Sequence, residues 1–220
     1  IGVTLDETTT VQDVEEIVAC FLPQDGARLG TGGVSKKDFA SVQAPRGFAR
    51  TSEWTIGAHG TDGRGRATAT LTLRPTPEIT RLWPHDFAAE LTVTLGTELT
   101  LALRVTNPGS AQLAFTAGYH SYFRVADVRT ARVEGLQGLR YRDKVLDFAE
   151  SADTAAALVP AGETDRVYLG APSRLRLRDS RRCLRIESSG FANVVVWNPG
   201  PGSDAQYDFA PDEWTQFVCV

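Results

Sequence analysis

The sequence predicts an all-β protein with an antiparallel β-sandwich fold, and three observations support this prediction. Segments in which apolar and polar side chains alternate with a period of two recur from about residue 50 onward. Turn-forming residues separate these segments at short intervals. No helical stretch of about 12 residues intervenes between them, as a parallel βαβ architecture would require. Many short strands in this arrangement are typical of a sandwich.

The clearest strands lie in the first half of the chain. Residues 66–74, 90–95 and 99–107 alternate Thr with Leu, Val or Ala, which suits a half-buried pleated surface. Gly96-Thr-Glu98 predicts a hairpin between the last two strands, and Asn107-Pro-Gly-Ser110 predicts the turn that follows. Further strands are expected at residues 114–119, 131–134, 174–177, 183–187, 193–197 and 215–220.

Two segments have helical character. Apolar residues recur at helical spacing over residues 11–18 and predict a helix there. The Ala-rich stretch 151–158 is interpreted as a loop or one short turn, because it lies between a strand and a Pro-Ala-Gly turn. Since a chain of 220 residues fits one large all-β domain, we predict a single domain over residues 1–220.

Composition and charge limit the classes of function. The chain is 42% hydrophobic and 23% charged, which allows an ample core. Its formal net charge of −4 argues against nucleic acid as a partner, because phosphate backbones select for basic surfaces. No apolar run approaches the ~20 residues that span a bilayer, so no membrane span is expected. Cys20, Cys183 and Cys219 lack metal-ligand spacing, and we expect reduced, buried thiols in a cytoplasmic protein.

His120 has the setting best suited to catalysis among the three histidines. It follows the predicted strand 114–119 and lies between Tyr119 and Tyr122, so its ring can be packed on one side and face a cleft on the other. A free imidazole has a pKa of about 6.5 and exchanges protons near neutrality. A core histidine bonded to a backbone carbonyl is the competing interpretation. We expect His59 to be solvated and His85 to order its loop by hydrogen bonding.

Asp165 and Arg50 are candidate ligand-binding residues. Asp165 stands at the entrance to a strand, where its carboxylate can accept hydrogen bonds from two sugar hydroxyls. The alternative is a turn-capping aspartate paired with Arg166. Arg50, which follows Gly47-Phe-Ala, can bind a phosphate or carboxylate bidentately, or it can be a solvated surface charge.

An ordered set of motifs resembles one protein family. The motifs are Gly47-Phe-Ala-Arg50 with Trp54, Trp83-Pro-His-Asp-Phe87, His120-Ser-Tyr-Phe123 with Val133–Leu136, Asp165-Arg-Val-Tyr168, Val196-Trp-Asn-Pro199 and Phe217-Val-Cys-Val220. Over about residues 45–220 this order resembles the hexose-6-phosphate 1-epimerase (mutarotase) family, relatives of galactose mutarotase. Residues 1–44 diverge from the family pattern. The resemblance implies the galactose mutarotase-like supersandwich fold.

The resemblance implies that the chain interconverts the α and β anomers of hexose 6-phosphates such as glucose 6-phosphate. Two proton-transfer groups open the ring, and it closes again after rotation about C1–C2. By the resemblance, His120 is the acid on the ring oxygen, Asp165 binds sugar hydroxyls and Arg50 lies near the phosphate. The expected partner is a small-molecule sugar phosphate, with no metal and no organic cofactor. We expect a monomer unless the chain is a subunit of a larger complex.

The chain departs from the family pattern in ways that keep other functions open. The family base is a glutamate directly after the Phe-Val-Cys-Val motif, and the sequence reaches Val220, so activity depends on a glutamate expected at the next position. Arg46 stands where the family has histidine and is included as a candidate substrate-binding residue. Thr31 stands where the family has a second phosphate-site arginine. The alternatives are a non-catalytic carbohydrate-binding or structural subunit of a larger assembly, and an enzyme for unphosphorylated aldoses.

Overall fold

The described residues of the computed structural model are 2–4, 47–170, 172–203 and 209–220. They belong to two compact units, divided between Ala117 and Gly118. Nearly all regular elements in these ranges are strands, and their pairing is antiparallel, which confirms the predicted fold class. The expected helix over 11–18, together with Cys20, Thr31 and Arg46, lies outside the described residues. The expectation of a single domain over 1–220 stays a prediction.

The first unit is built on one antiparallel sheet. Its described strands are β1 (Gly2–Thr4), β2 (Thr55–Thr61), β3 (Ala67–Leu73), β4 (Ala88–Leu95) and β5 (Glu98–Thr106), in the order β1-β5-β4-β3-β2. In β4 every second residue is buried, as the alternation in the sequence predicts. The backbone N–H of Gly96 donates to the Glu98 carbonyl at 3.1 Å, which confirms the predicted β4–β5 hairpin.

The helix α1 (Pro77–Leu82) was not predicted from the sequence. It begins after Thr76, whose hydroxyl accepts a hydrogen bond from the Ile79 backbone N–H at 3.3 Å. Proline at the first helical position and a threonine N-cap are both helix-start signals. Six residues are too few to show helical periodicity, so these two start signals were the ones available. No helix in the described part of the chain has the length and apolar character needed to cross a membrane.

The second unit contains two antiparallel sheets. Strands β10 (Ala157–Leu158), β7 (Arg132–Glu134), β12 (Arg174–Arg178) and β13 (Cys183–Glu187) are neighbours in that order in one sheet. The other sheet has the order β6 (Tyr122–Arg124), β15 (Phe217–Cys219), β14 (Asn193–Asn198), β11 (Thr164–Leu169), β8 (Arg140–Asp143) and β9 (Ala149–Ala152). A 3-10 turn over Glu213–Gln216 leads into β15. The predicted strands from residue 131 onward are thereby confirmed, although β15 is shorter than expected.

Two segments differ from their predicted conformation. Residues 114–119 do not form a strand and are mostly exposed, because no neighbouring strand pairs with their backbone in the described structure. The stretch 151–158 was predicted as a loop but contributes to β9 and β10. Pairing overrides the weak strand preference of Ala there: β9 lies against β8, and Glu150 forms ion pairs with Arg140 and Arg142.

A carboxylate fastens the two sheets of the second unit at one end. Asp179 lies in the β12–β13 hairpin, and its Oδ1 accepts hydrogen bonds from the Arg181 and Arg182 backbone N–H groups at 2.7 and 2.8 Å. Its Oδ2 accepts one from the Ala126 N–H, just past β6, at 2.8 Å. Burial raises the pKa of Asp179, but these backbone hydrogen bonds outweigh it, and the net pKa lies below the usual value.

Candidate active site

One face of the six-stranded sheet carries the candidate site. Tyr122 lies opposite Cys219, Cys219 opposite Trp197, and Trp197 opposite Asp165. Directly paired residues of antiparallel strands project to the same side of a sheet. We call this row of four residues the Trp197 face. The intervening residues project to the other side and are buried: Phe123, Val218, Val196 and Tyr168.

His120 lies in the extended segment just before β6, rather than at the end of a strand as expected. Its imidazole stacks on the Tyr122 ring, with centroids 4.8 Å apart and ring planes 21° apart. It also meets the Trp197 ring edge-on, at 5.6 Å and 75°. The residue is exposed, so the core-histidine interpretation is wrong. The imidazole is therefore held by aromatic contacts and remains accessible to a ligand.

An aromatic cluster supports this imidazole. The Phe217 ring lies 5.3 Å from that of Tyr122 and 6.0 Å from that of Trp197, and Phe209 packs on Phe217 at 5.3 Å. Cys219 belongs to the same face, between Tyr122 and Trp197, and is buried. Burial raises the pKa of the Cys219 thiol, so this side chain is neutral and fills space. Cys183 is exposed, so its predicted burial is wrong.

Asp165 is the second residue of β11, which confirms its predicted place at the entrance to a strand. The Lys144 ammonium lies 3.2 Å from its Oδ1 and donates a hydrogen bond to its Oδ2 at 3.3 Å. Oδ1 has no accessible surface and accepts no hydrogen bond of good geometry. The alternative pairing with Arg166 is wrong, because that guanidinium contacts Asp143 and Asp153 instead.

A buried polar layer lies beneath Asp165. Arg166 Nε is 3.4 Å from Asp143 Oδ2, and its guanidinium stands 4.5 Å from the centre of the Tyr141 ring. The Tyr168 hydroxyl donates to Asp153 at 2.7 Å. Burial raises the pKa of Tyr168, so its hydroxyl stays protonated and acts as a donor. The Asp-Arg-Val-Tyr motif thus has an outward carboxylate, with a guanidinium and a phenol directed inward.

Asn198 joins the strands that carry the site. Its side chain is fully buried, and its amide Nδ2 donates to the carbonyls of Trp214 and Phe217 at 2.8 and 2.9 Å. Its Oδ1 accepts from the Gly200 backbone N–H at 2.9 Å. Gly200 has a positive φ of 72°, and a Cβ there would lie 2.8 Å from the Cα of Glu163, two residues before Asp165. The Val-Trp-Asn-Pro motif therefore positions Trp197 and β11.

Arg50 belongs to the first unit, and the motifs around it are structural. It is the last residue of the 3-10 turn Phe48–Arg50 and is exposed. Phe48 packs on Trp83 and Phe87, with ring centroids 5.8 and 5.7 Å apart. The Trp54 indole N–H donates to the Ala49 carbonyl at 2.8 Å. The Gly-Phe-Ala-Arg and Trp-Pro-His-Asp-Phe motifs therefore pack together and anchor the turn that presents this guanidinium.

The two other histidines have different surroundings. His59 was predicted in a loop but lies in β2; it is exposed, as expected of a solvated side chain. The His85 ring packs against Trp83 at 5.0 Å. Within the described ranges, no three His, Cys, Asp or Glu side chains group as a metal site requires.

Comparison with known proteins identifies the family. Residues 38–220 match the sequence model of the aldose 1-epimerase family. A protein named "Putative glucose-6-phosphate 1-epimerase" from Cenchrus ciliaris is 34% identical over 185 residues, which are 79% of this chain and 56% of that protein. A protein of the same name from Escherichia coli (strain K12) is 34% identical over 177 residues, 79% of this chain and 58% of that one. The chain spans a little over half the length of these relatives.

Solved structures agree with this assignment. A crystal structure of a "putative mutarotase" from Salmonella typhimurium is 33% identical, with a TM-score of 0.73 over 79% of this chain and 58% of that one. A galactose mutarotase-like protein from Clostridium acetobutylicum is 18% identical, with a TM-score of 0.61 over 79% of this chain and 56% of that one, and supports the fold alone. The chain has the galactose mutarotase-like fold and belongs to the aldose 1-epimerase family.

Proposed function

We propose that this protein is a mutarotase that interconverts the α and β anomers of a hexose 6-phosphate such as glucose 6-phosphate. One observation carries the proposal: the exposed His120 imidazole is held against Tyr122 and Trp197, on the face that also carries Asp165. An accessible imidazole beside a carboxylate can transfer a proton to a sugar that the carboxylate binds. The family and the names of the relatives agree with this chemistry.

In the proposed reaction His120 acts as the general acid. A base removes the proton of the anomeric hydroxyl, and the O–H electron pair forms the C1=O1 double bond. The C1–O5 bond breaks, its electron pair goes to O5, and O5 takes the proton of the imidazolium. The open aldehyde rotates about C1–C2, and the same steps in reverse close the ring on its other face. Both protein groups regain their starting protonation, so the reaction consumes no co-reactant.

The carboxylate base is expected to follow β15. Side chains alternate along a strand, and Cys219 belongs to the Trp197 face, so a residue continuing the strand past Val220 would project to that same face. That is the position at which the resemblance expects a glutamate. Glu213 is a poor substitute, because it precedes β15 and its carboxylate already accepts a hydrogen bond from the Ala210 backbone N–H at 2.8 Å.

Binding of the sugar phosphate is assigned to two kinds of group. Asp165 accepts hydrogen bonds from sugar hydroxyls. Arg50 binds the phosphate, since an anchored, exposed guanidinium suits bidentate recognition of phosphate oxygens. Arg46, four residues earlier in the sequence, is proposed as a second cation for the phosphate.

The test is the rate at which freshly dissolved α-glucose 6-phosphate relaxes to its anomeric equilibrium, followed by polarimetry or NMR exchange. The complete gene product should accelerate relaxation over buffer in proportion to its concentration, and should act on glucose 6-phosphate at a lower KM than on glucose. Binding without acceleration would indicate a non-catalytic carbohydrate-binding homologue and overturn the proposal. Acceleration of anomer exchange for glucose but not for glucose 6-phosphate would show that the substrate is not phosphorylated.

A further inference from the structure

Lys144 extends the row of residues on the Trp197 face. It directly follows β8, and its backbone N–H donates to the Asp165 carbonyl at 2.9 Å. Its ammonium reaches both oxygens of the Asp165 carboxylate, at 3.2 and 3.3 Å. The row on this face therefore runs from Tyr122 through Trp197 and Asp165 to Lys144. Nothing in the one-dimensional sequence joins Lys144 to Asp165, which lie 21 residues apart.

The β8–β11 register fixes where Lys144 sits. One step along the ladder, Arg166 lies opposite Asp143, and these two side chains form an ion pair on the buried side of the sheet. Because successive side chains point to opposite faces, the inward Asp143–Arg166 pair and the outward Lys144–Asp165 pair alternate. A slip of β8 by one residue against β11 would turn Lys144 inward and Asp143 outward, and would separate both pairs. The position of Lys144 is thus fixed by the β8–β11 register, which the Asp143–Arg166 pair maintains.

The charges of the pair indicate what it can bind. The Lys144 ammonium has three donor hydrogens and each carboxylate oxygen has about two acceptor sites, so their mutual contact leaves unused donors on Lys144 and an unused acceptor site on Asp165 Oδ2. Oδ1 has no accessible surface and does not face a ligand. Both side chains are partly exposed, Lys144 by 40% and Asp165 by 23%. Asp165 cancels the charge of Lys144, which makes the pair a poor phosphate site. A neutral group that both donates and accepts hydrogen bonds suits it, and adjacent sugar hydroxyls are such groups.

We infer that Lys144 and Asp165 bind two neighbouring hydroxyls of the sugar ring, with Lys144 donating to one hydroxyl oxygen and Asp165 accepting from the other. This inference rests on the proposed function for the identity of the ligand as an aldose. It makes Lys144 a substrate-binding residue that recognises a hydroxyl of the sugar ring.

The experiment compares the wild-type protein with Lys144→Met, measuring both sugar binding by calorimetry or NMR titration and the kinetics of anomer exchange. The probes are glucose, glucose 6-phosphate and the monodeoxy glucoses. We expect Lys144→Met to weaken binding about tenfold for glucose and glucose 6-phosphate alike, with kcat little changed, because the contact is made equally in ground and transition states. One monodeoxy glucose should bind wild type and variant equally, since it lacks the hydroxyl that Lys144 contacts.

Arg142→Met is the matched control. Arg142 precedes Lys144 by two residues on β8 and forms an ion pair with Glu150, so its removal breaks a similar exposed pair on the same strand. It should leave the affinity for every sugar unchanged. The Arg142→Met variant is not expected to move Tm by more than about 2 °C, because exposed ion pairs stabilise little.

The outcomes separate the inference from the proposed function. The inference is overturned if the wild-type protein is active and Lys144→Met binds the sugars with the same affinity. A loss of affinity confined to glucose 6-phosphate also overturns it, because Lys144 would then be a phosphate ligand. An equal loss of affinity for every monodeoxy glucose overturns it as well. A wild type that binds sugars through Lys144 without accelerating anomer exchange keeps the inference and overturns the mutarotase proposal. A wild type that neither binds nor turns over these sugars overturns both.

Discussion

The His120 imidazole lies face to face with the Tyr122 ring, at a centroid distance of 4.8 Å. The Tyr122 ring also packs on Phe217, whose backbone carbonyl accepts a hydrogen bond from the buried Asn198 amide. His120 itself lies outside any strand. The orientation of the proposed acid therefore depends on a chain of contacts that begins in the core.

Replacement of Tyr122 by Leu should lower kcat about three- to tenfold, because an aromatic pair contributes about 0.5–1.5 kcal/mol and the imidazole would lose that orientation. The effect on stability should be below about 1 kcal/mol, since Tyr122 is 55% exposed. Tyr122→Phe is the control and should keep wild-type kcat, as it retains the ring. Steady-state anomer-exchange kinetics make the comparison. Full activity in Tyr122→Leu would show that the stack does not orient the acid.

Asn198→Ala should lower the free energy of unfolding by about 2–4 kcal/mol, because it leaves two carbonyls and a backbone N–H without their buried partner. Urea or thermal unfolding measures the loss. Asn193→Ala on the same strand is the control. Asn193 is exposed and accepts a long hydrogen bond from the Gly170 backbone N–H at 3.4 Å, so its removal should change stability by no more than about 0.5–1 kcal/mol. Equal effects of the two substitutions would refute the role assigned to Asn198.

Asp179 should make the stability of the protein depend on pH below about 4. Its pKa is lowered in the folded state, so its ionised form stabilises the fold fully above the unfolded value of about 3.9. That stabilisation is lost as the pH falls through the folded pKa. Asp179→Asn should cost about 1–2 kcal/mol at pH 7, and the difference from wild type should shrink toward low pH.

Urea unfolding of both proteins between pH 3 and pH 7 tests this dependence. Asp86→Asn, at an exposed loop position, serves as the control for removal of one negative charge. A difference between wild type and Asp179→Asn that stayed constant over this range would contradict the argument.

Strands whose sequence alternates regularly were predicted well, because the pattern of β3 and β4 directly records which side chains face the core. Residues 114–119 also look strand-like, yet strand formation requires a partner, and the local sequence does not specify one. The same reason explains β9, where pairing with β8 outweighs an Ala-rich composition.

The sequence predicted individual site residues, but not how they are arranged in space. His120 and Asp165 were named from their motifs. Pairing between distant strands places Asp165 on the Trp197 face, and ring contacts with Tyr122 and Trp197 hold His120 against it. Lys144 was not found, because its contact with Asp165 depends on the β8–β11 register. Asn198 was likewise noted as part of a motif, while its partners lie 16 and 19 residues away.

The most direct test of the central claim is the rate of glucose 6-phosphate anomer exchange with His120→Gln, measured by NMR at saturating substrate beside the wild-type protein. General acid–base groups contribute about 10²–10⁴-fold, so kcat should fall by at least about a hundredfold, while binding of the sugar and the unfolding midpoint stay close to wild type. A His120→Gln variant that exchanges anomers at the wild-type rate would contradict the account.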